Sequence, residues 1–126
     1  MGPLRENTSQ LQSYGDEHLS FDFQHQVVTL DGRRMTLTRK EYDLLSLLVQ
    51  YAGQIVPREA LLQQVWGYSP EIRTRTLDVH VRRLRKKLGS YADRYIETIF
   101  GIGYRFQPFH APRYLQPVER PLAISA

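Results

Sequence analysis

The residues of this sequence best suited to chemistry are cations, and they are concentrated in one segment. Seven Lys and Arg residues lie between Arg73 and Lys87, where Asp78 is the single acid, so the segment has a net charge of +6. The whole chain has a net charge of +4, which leaves the remainder at −2. Neutralisation of phosphates by Lys and Arg releases the counterions condensed on a nucleic acid. The pattern therefore favours a polyanionic partner, although a solvated helix face would give the same charge.

The same segment has the periodicity of an amphipathic helix. At 100° per residue, one face is apolar and predicts the buried side, with Leu77, Val81, Leu84 and Leu88. The opposite face holds Arg75, Val79, Arg82, Arg83 and Lys86. The major groove of B-DNA admits one helix, arginine pairs with guanine O6 and N7, and a small apolar side chain can meet a thymine methyl group. We therefore predict a recognition helix over residues 73–88.

Residues for catalysis or metal binding have no comparable pattern. His18, His25, His80 and His110 are scattered, there is no cysteine, and no glycine-rich phosphate loop or Gly-x-Ser-x-Gly motif occurs. We therefore expect no enzyme activity, no catalytic residue, no cofactor and no bound metal.

The elements that must position the basic helix begin with short strands. Apolar and polar residues alternate in Leu19–Phe23, Val28–Leu30 and Met35–Leu37, and Asp31-Gly32 suits a tight turn. This pattern predicts three antiparallel strands.

Two further helices and a hairpin follow from local signals. Thr38 and Glu41 have the spacing of a capping box and predict a helix start, and Gly53 suits its end. A short strand at residues 54–56 leads through Pro57 into a second helix that ends at Gly67. Residues 95–99 and 104–106 flank a turn with paired glycines and predict a β-hairpin.

The chain of 126 residues is long enough for one domain. We predict a linker or cloning-derived segment at residues 1–16, a folded body at 17–109, and a Pro-rich flexible tail at 110–126. Pro112, Pro117 and Pro121 argue against a helix or a paired strand in that tail. The sequence has no apolar run of membrane-spanning length and no secretory signal, so we expect no membrane contact and a cytoplasmic location.

Four segments, in order, resemble the effector domain of OmpR/PhoB-family response regulators. They are LTRKEYDLL from Leu37, REALLQQVWG from Arg58, RTLDVHVRRLRKKL from Arg75 and GIGYRF from Gly101. The resemblance covers roughly residues 18–107. It implies an α+β winged helix-turn-helix: an N-terminal antiparallel β-sheet, a three-helix core and a C-terminal β-hairpin wing near the minor groove. That sheet has four strands in the family, so the fourth comes either from residues 11–14 or from a split of residues 19–30.

The resemblance also implies roles for individual residues in sequence-specific binding of double-stranded DNA. Val79 and Arg83 would contact bases. Phosphate contacts would come from Trp66, Arg75, Thr76, His80, Arg82, Arg85, Thr98 and Tyr104. In the wing at residues 95–106, Phe100 stands where the family commonly has arginine, so either Arg105 substitutes for it or Phe100 packs against sugars. Pro57 replaces the usual Ser or Thr cap, which should weaken the start of the second helix slightly.

Partners follow from the same resemblance. The loop at residues 67–74 matches the segment through which family members touch RNA polymerase, often its sigma subunit; its candidate contacts are Tyr68, Ser69, Pro70, Glu71 and Ile72. A two-component transcriptional regulator would add a receiver domain and a sensor kinase. The isolated domain should be monomeric or weakly dimeric in solution. On DNA, two copies should bind as a tandem dimer. The alternative is a protein-interaction module that contacts RNA polymerase with little DNA specificity of its own.

Overall fold

The computed structural model describes residues 11–115, in which two antiparallel sheets and three main helices surround one apolar core. The strands are β1 (Ser13–Gly15), β2 (Leu19–Asp22), β3 (Val27–Leu30), β4 (Arg33–Arg34), β5 (Ile55–Pro57), β6 (Ile96–Ile99), β7 (Gly103–Phe106) and β8 (Arg113–Leu115). The helices are α1 (Arg39–Gln50), α2 (Arg58–Leu61), α3 (Thr76–Leu88) and the short α4 (Ala92–Tyr95). A π-helical turn, Leu62–Trp66, continues α2, and a 3-10 turn, Gly89–Tyr91, joins α3 to α4. Within residues 11–115 no helix has the length and apolarity to cross a membrane.

The N-terminal sheet has the strand order β4-β3-β2-β1-β8. Two of the predicted strands are confirmed as β2 and β3, whereas the prediction of a strand at Met35–Leu37 is wrong. Asp31 and Gly32 both have positive φ and form a two-residue turn, so Arg33 pairs with Leu30 directly after it. The pairing is therefore completed before residue 35. Met35 donates a last backbone hydrogen bond to Val28, and the chain leaves for α1.

The folded part of the chain extends beyond both predicted limits, residues 17 and 109. β1 is formed at residues 13–15, near the first of the two alternatives for a fourth strand, and Leu11 and Tyr14 are buried. Residues 11–16 are therefore not linker. β8 pairs with β1, so the expectation that Pro112 prevents a paired strand is wrong. Pro112 directly precedes an edge strand, where its missing N–H breaks no ladder bond. Residues 1–10 and 116–126, with Pro117 and Pro121, lie outside the described residues.

The capping box at the start of α1 is confirmed. Thr38 Oγ1 accepts from the backbone N–H of Glu41 at 3.2 Å, and Glu41 Oε1 accepts from the N–H of Thr38 at 2.9 Å. The same buried carboxylate accepts from Lys87 Nζ at 2.5 Å. Burial raises the pKa of Glu41, but the bonds from Lys87 and Thr38 outweigh it and the pKa lies below its ordinary value. This contact ties the first turn of α1 to the last turn of α3.

The predicted second helix is confirmed in position but not in its regular geometry. α2 begins after Pro57, which supplies no side-chain cap, and it widens into the π-helical turn before Gly67 ends it with φ 76°. Lys40 of α1 donates to the carbonyl oxygen of Val65 at 2.7 Å. The slightly weaker start that Pro57 implies stays a prediction.

The phase of α3 is confirmed, and its start is three residues later than predicted. Leu77, Val81, Leu84 and Leu88 are all buried in the core. Arg75 has a ψ of 8° and takes the N-cap position, and the N–H of Thr76 donates to Thr74 Oγ1 at 3.1 Å. That side-chain oxygen satisfies one of the free donors of the first turn, so the helix starts at Thr76 and not at residue 73.

The predicted C-terminal hairpin is confirmed as β6 and β7, and β5 pairs with β7 to give the order β5-β7-β6. Gly103 permits this pairing, because a Cβ there would lie 2.1 Å from the carbonyl oxygen of Val56. The hairpin, which we call the wing, therefore rests on the strand that leads into α2.

Candidate nucleic-acid interface

The predicted cations on the outward face of α3 are exposed to solvent. Arg75, Arg82 and Arg83 are exposed, and within residues 11–115 none of the three forms an ion pair or a hydrogen bond with a side chain. Val79 lies between them and is 40% exposed. This face presents exposed guanidinium groups around one small apolar side chain.

One flank of α3 brings together three predicted phosphate contacts. The Nδ1 atom of His80 lies 2.7 Å from the carbonyl oxygen of Thr76, one turn earlier. The indole ring of Trp66, at the end of the π-helical turn, packs edge-on against the imidazole, with 4.9 Å between ring centroids. All three side chains are partly exposed. The second helix and α3 thus present one polar cluster on this flank.

The other flank of α3 is already occupied by the wing. Arg85 Nη2 donates to the carbonyl oxygen of Ile96 at 2.8 Å and to Thr98 Oγ1 at 2.7 Å. Tyr104 is buried, and its hydroxyl donates to Asp78 Oδ1 at 2.8 Å. The polar groups of Arg85, Thr98 and Tyr104 therefore hold the wing against α3, and their predicted phosphate contacts compete with these internal bonds.

Asp78 has a partner that helical spacing does not reveal. Its expected partners are Arg75 and Arg82 on the same helix, but Oδ1 accepts from Arg58 Nη1 at 2.7 Å. Burial raises the pKa of Asp78, while the hydrogen bonds from Arg58 and Tyr104 lower it and prevail, so the carboxylate is ionised at neutral pH. The single acid of the basic segment is thus neutralised away from the exposed face.

Arg58 connects three elements, α2, α3 and the wing, and its spacing in the sequence does not indicate this role. Its guanidinium binds Asp78 of α3, and its backbone N–H donates to the carbonyl oxygen of Ile102 in the wing turn at 2.9 Å. The only sequence signal for this role is that Arg58 opens the second of the four motifs.

The two wing residues named above, Arg105 and Phe100, have different surroundings. Arg105 donates from Nε and Nη2 to Glu97 Oε1 across the hairpin, at 3.0 and 2.9 Å. Phe100 is 89% exposed at the tip. The charge of Arg105 is therefore balanced inside the wing, whereas the ring of Phe100 is open.

The loop between the second helix and α3 forms a compact turn. Ser69 donates to Glu71 Oε1 at 2.6 Å, and the N–H of Ile72 donates to the carbonyl oxygen of Ser69 at 3.1 Å. Tyr68 packs partly against the core, whereas Pro70 and Ile72 are exposed. The turn displays an apolar tip beside an acid. In the described part of the chain, no group of three or more His, Asp or Glu side chains is placed to hold a metal ion.

Residues 32–106 match the family described as transcriptional regulatory protein, C terminal. The chain belongs to this family. The match contains α1, α2, α3 and the wing. It leaves out most of the N-terminal sheet and all of β8.

The curated relatives of this chain include response regulators. The response regulator ArlR of Staphylococcus saprophyticus is 46% identical over 78 residues, which make up 61% of this chain and 36% of that protein. The match therefore spans about a third of the length of the curated relatives, as in ArlR of Staphylococcus aureus.

Solved structures of the family share the fold. The RstA DNA-binding domain of Klebsiella pneumoniae, in complex with the RstA box, superposes with a TM-score of 0.71 at 33% identity, covering 78% of this chain and 99% of that one. DrrB, an OmpR/PhoB homologue from Thermotoga maritima, gives a TM-score of 0.69 at 35% identity, covering 76% of this chain and 44% of that one. The OmpR/PhoB resemblance and the α+β winged helix-turn-helix fold are confirmed.

Proposed function

We propose that this chain binds double-stranded DNA sequence-specifically as the effector half of a two-component transcriptional regulator, with α3 in the major groove. The observation that carries the proposal is the exposed set of Arg75, Arg82 and Arg83, which form no ion pair within residues 11–115 and lie on a helix whose opposite face is buried. A rigidly anchored cationic helix matches the width and the charge of that groove. The structure of the related RstA DNA-binding domain in complex with the RstA box supports DNA binding by this chain.

Base reading falls to Val79 and Arg83 in this proposal. Both are exposed on the face of α3 that points away from the core, where a side chain reaches the groove floor. Arg83 can donate two hydrogen bonds to guanine, and Val79 can contact a thymine methyl group. Phosphate contacts come from Arg75, Arg82 and the flank with Trp66, Thr76 and His80.

The wider assembly is proposed on the family resemblance. The loop at residues 68–72 would contact RNA polymerase through its exposed Ile72 and Pro70, and its acid Glu71 favours a basic partner surface. A receiver domain and a sensor kinase would control the pairing of two copies on tandem half-sites. The isolated domain would then be monomeric or weakly dimeric.

Salt dependence tests the proposal against a polymerase-binding module with little DNA specificity. With about five phosphates neutralised by the Lys and Arg of residues 73–87, log Ka for a duplex selected from a random pool should fall against log salt with a slope of about −5. Fluorescence anisotropy at several salt concentrations measures the slope. An affinity that hardly changes with salt would contradict DNA binding and favour an apolar protein interface.

Two substitutions on the same helix face separate base reading from phosphate binding. Arg83→Ala should cost about 1 to 3 kcal/mol on the selected duplex and little on random ones, because the lost hydrogen bonds go to bases. Arg75→Ala should weaken all duplexes alike and reduce the salt slope by about one. Competition binding with both duplex classes measures this. Equal losses on selected and random DNA for Arg83→Ala would mean that this residue does not read bases.

A further inference from the structure

The connection between Phe109 and β8 has a strained backbone. We call this connection, residues 110–112, the hinge. Within it Ala111 has φ 53°, in the left-handed region where the Cβ atom of any residue but glycine crowds the backbone. Pro112 follows, and the residue before a proline is biased towards extended backbone by the proline ring. The conformation that places β8 against β1 is therefore opposed by both Ala111 and Pro112.

The chain is firmly held before the hinge and weakly held after it. The N–H of Phe109 donates to Asp16 Oδ2 at 3.1 Å, and the guanidinium carbon of Arg94 lies 4.2 Å from the centroid of the Phe109 ring. In contrast, all three residues of β8 are exposed, and the ring of Tyr114 lies 5.3 Å from that of Tyr14. Elements with few buried contacts open at low cost. The strain thus lies between a fixed anchor and a strand that detaches easily.

The edge of β1 binds β8 through contacts that any copy of this strand can make. The paired residues are Gly15 with Arg113, Tyr14 with Tyr114, and Ser13 with Leu115. The guanidinium of Arg113 covers Gly15, because a Cβ atom on that glycine would lie 3.4 Å from Nη2. The hinge forms none of these pairs. The β8 strand of a second copy would therefore satisfy β1 equally well.

Both ends of the hinge lie beside the same part of β1. Phe109 binds Asp16, and Arg113 pairs with the adjacent Gly15, so the hinge folds back on itself. A fully extended chain from Phe109 to Arg113 spans about 13 Å. The extended conformation that Ala111 and Pro112 favour therefore carries β8 away from the β1 of its own chain and towards another molecule.

We propose that β8 is exchanged between two copies of this chain, so that each β1 pairs with the β8 of the other copy and each Ala111 is extended. An identical element exchanged between protomers gives a dimer at low cost, and a short hinge under strain favours the exchange. The exchanged strand and the hinge contain none of Arg75, Arg82 and Arg83, so the dimer has two intact α3 helices. This inference does not depend on the proposed function.

A disulfide cross-link tests the exchange directly, because the chain has no cysteine of its own. One full-length chain carries Gly15→Cys and another carries Arg113→Cys, two positions that face each other in the β1–β8 pair. Mixed and treated with oxidised glutathione, the two should give a linked dimer on a non-reducing gel, in a yield that rises with protein concentration. Thr29→Cys in place of Gly15→Cys is the control and should give little dimer, because Thr29 lies on β3, two strands from β1.

The strain at Ala111 gives a second, quantitative prediction. Ala111→Gly removes the Cβ atom that opposes the left-handed backbone and so favours the monomer. The dissociation constant of the dimer, measured by sedimentation equilibrium, should rise about thirtyfold, from about fivefold at each of two hinges. Ala111→Val should lower it, because a β-branched residue is poorly compatible with positive φ. Gln26→Gly is the matched control: Gln26 has φ 58° outside the hinge, so the constant should not change.

Two outcomes would overturn the exchange. The first is a wild-type chain that stays monomeric at every concentration and gives no more cross-link with Gly15→Cys than with Thr29→Cys. The second is a dimer whose dissociation constant does not respond to Ala111→Gly, because the copies would then meet through another surface. Circular dichroism of each variant confirms that a lost dimer is not a lost fold.

Discussion

Replacement of Leu84 by Ala is expected to lower the free energy of unfolding by about 2 to 5 kcal/mol. Leu84 is completely buried on the inner face of α3, where this helix packs against α1. Truncation removes apolar contacts and leaves a cavity that the surrounding helices fill only in part. The fraction of Leu84→Ala protein that remains folded should also bind DNA less tightly, because a poorly packed α3 no longer holds its cations in one geometry.

Urea unfolding followed by far-UV circular dichroism measures the effect of Leu84→Ala. Lys86→Ala is the matched control: it lies on the exposed face of the same helix, and Lys and Ala both favour helices, so its stability should stay within about 0.5 kcal/mol of wild type. An unchanged midpoint for Leu84→Ala would mean that the inner face of α3 is phased differently.

Local signals in the sequence were enough to predict the elements that position α3. The 3.6-residue period of Leu77, Val81, Leu84 and Leu88 depends only on neighbours along the chain, and these residues are buried as expected. The capping box of Thr38 involves residues three apart, and it too is present. Such patterns specify a helix and its inward face before any tertiary contact is known.

Contacts between distant residues could not be predicted in the same way. A helical wheel places Asp78 and Arg85 on one flank of α3, but it does not show that the wing covers that flank. Tyr104 is 26 residues from Asp78, and Arg58 is 20 residues from it. The predicted phosphate roles of Arg85 and Tyr104 came from motif position alone, without the internal bonds that these side chains make.

The alternation of apolar and polar residues does not indicate β1 or the edge strand β8 of the N-terminal sheet, for a related reason. β1 and β8 are three residues long, too short for an alternating pattern to stand out. β1 pairs with the nearby β2 on one side, and on the other side Tyr14 pairs with the distant Tyr114 of β8. Proline near β8 suggested an unpaired tail, although an edge strand tolerates it. Sequence periodicity gives no information on such a pairing.

Asp16 lies directly after β1 and joins that strand to the rest of the fold. Its buried carboxylate accepts from the hydroxyl of Tyr14 and from the N–H of Phe109 on Oδ2, the latter at 3.1 Å. Oδ1 accepts from the hydroxyl of Tyr95 at 2.7 Å and from two nearby backbone N–H groups. The chain before β2, the short α4 and the segment after the wing thus meet on one side chain.

Asp16→Asn is expected to cost on the order of 3 kcal/mol of unfolding free energy, because the amide keeps only one acceptor oxygen. In either orientation its NH2 group faces a backbone N–H that loses its acceptor, that of Phe109 or those of His18 and Leu19. The cost should depend on pH. Burial raises the pKa of Asp16, but the bonds from Tyr14, Leu19, Tyr95 and His18 outweigh it, and the folded-state pKa lies below the ordinary 3.8. A lowered folded pKa gives stability that is present above the unfolded value and lost as the pH falls through the folded one.

The difference in stability between wild type and Asp16→Asn should therefore be constant near neutral pH and narrow below about pH 4. Urea unfolding at a series of pH values measures it, with Asp93→Asn, an exposed acid on α4, as the control that should match wild type throughout. A difference that persists undiminished in acid would assign the loss to altered packing and not to the carboxylate charge. A variant as stable as wild type at pH 7 would show that the donors around Asp16 find other acceptors, and that the position of β1 does not depend on this carboxylate.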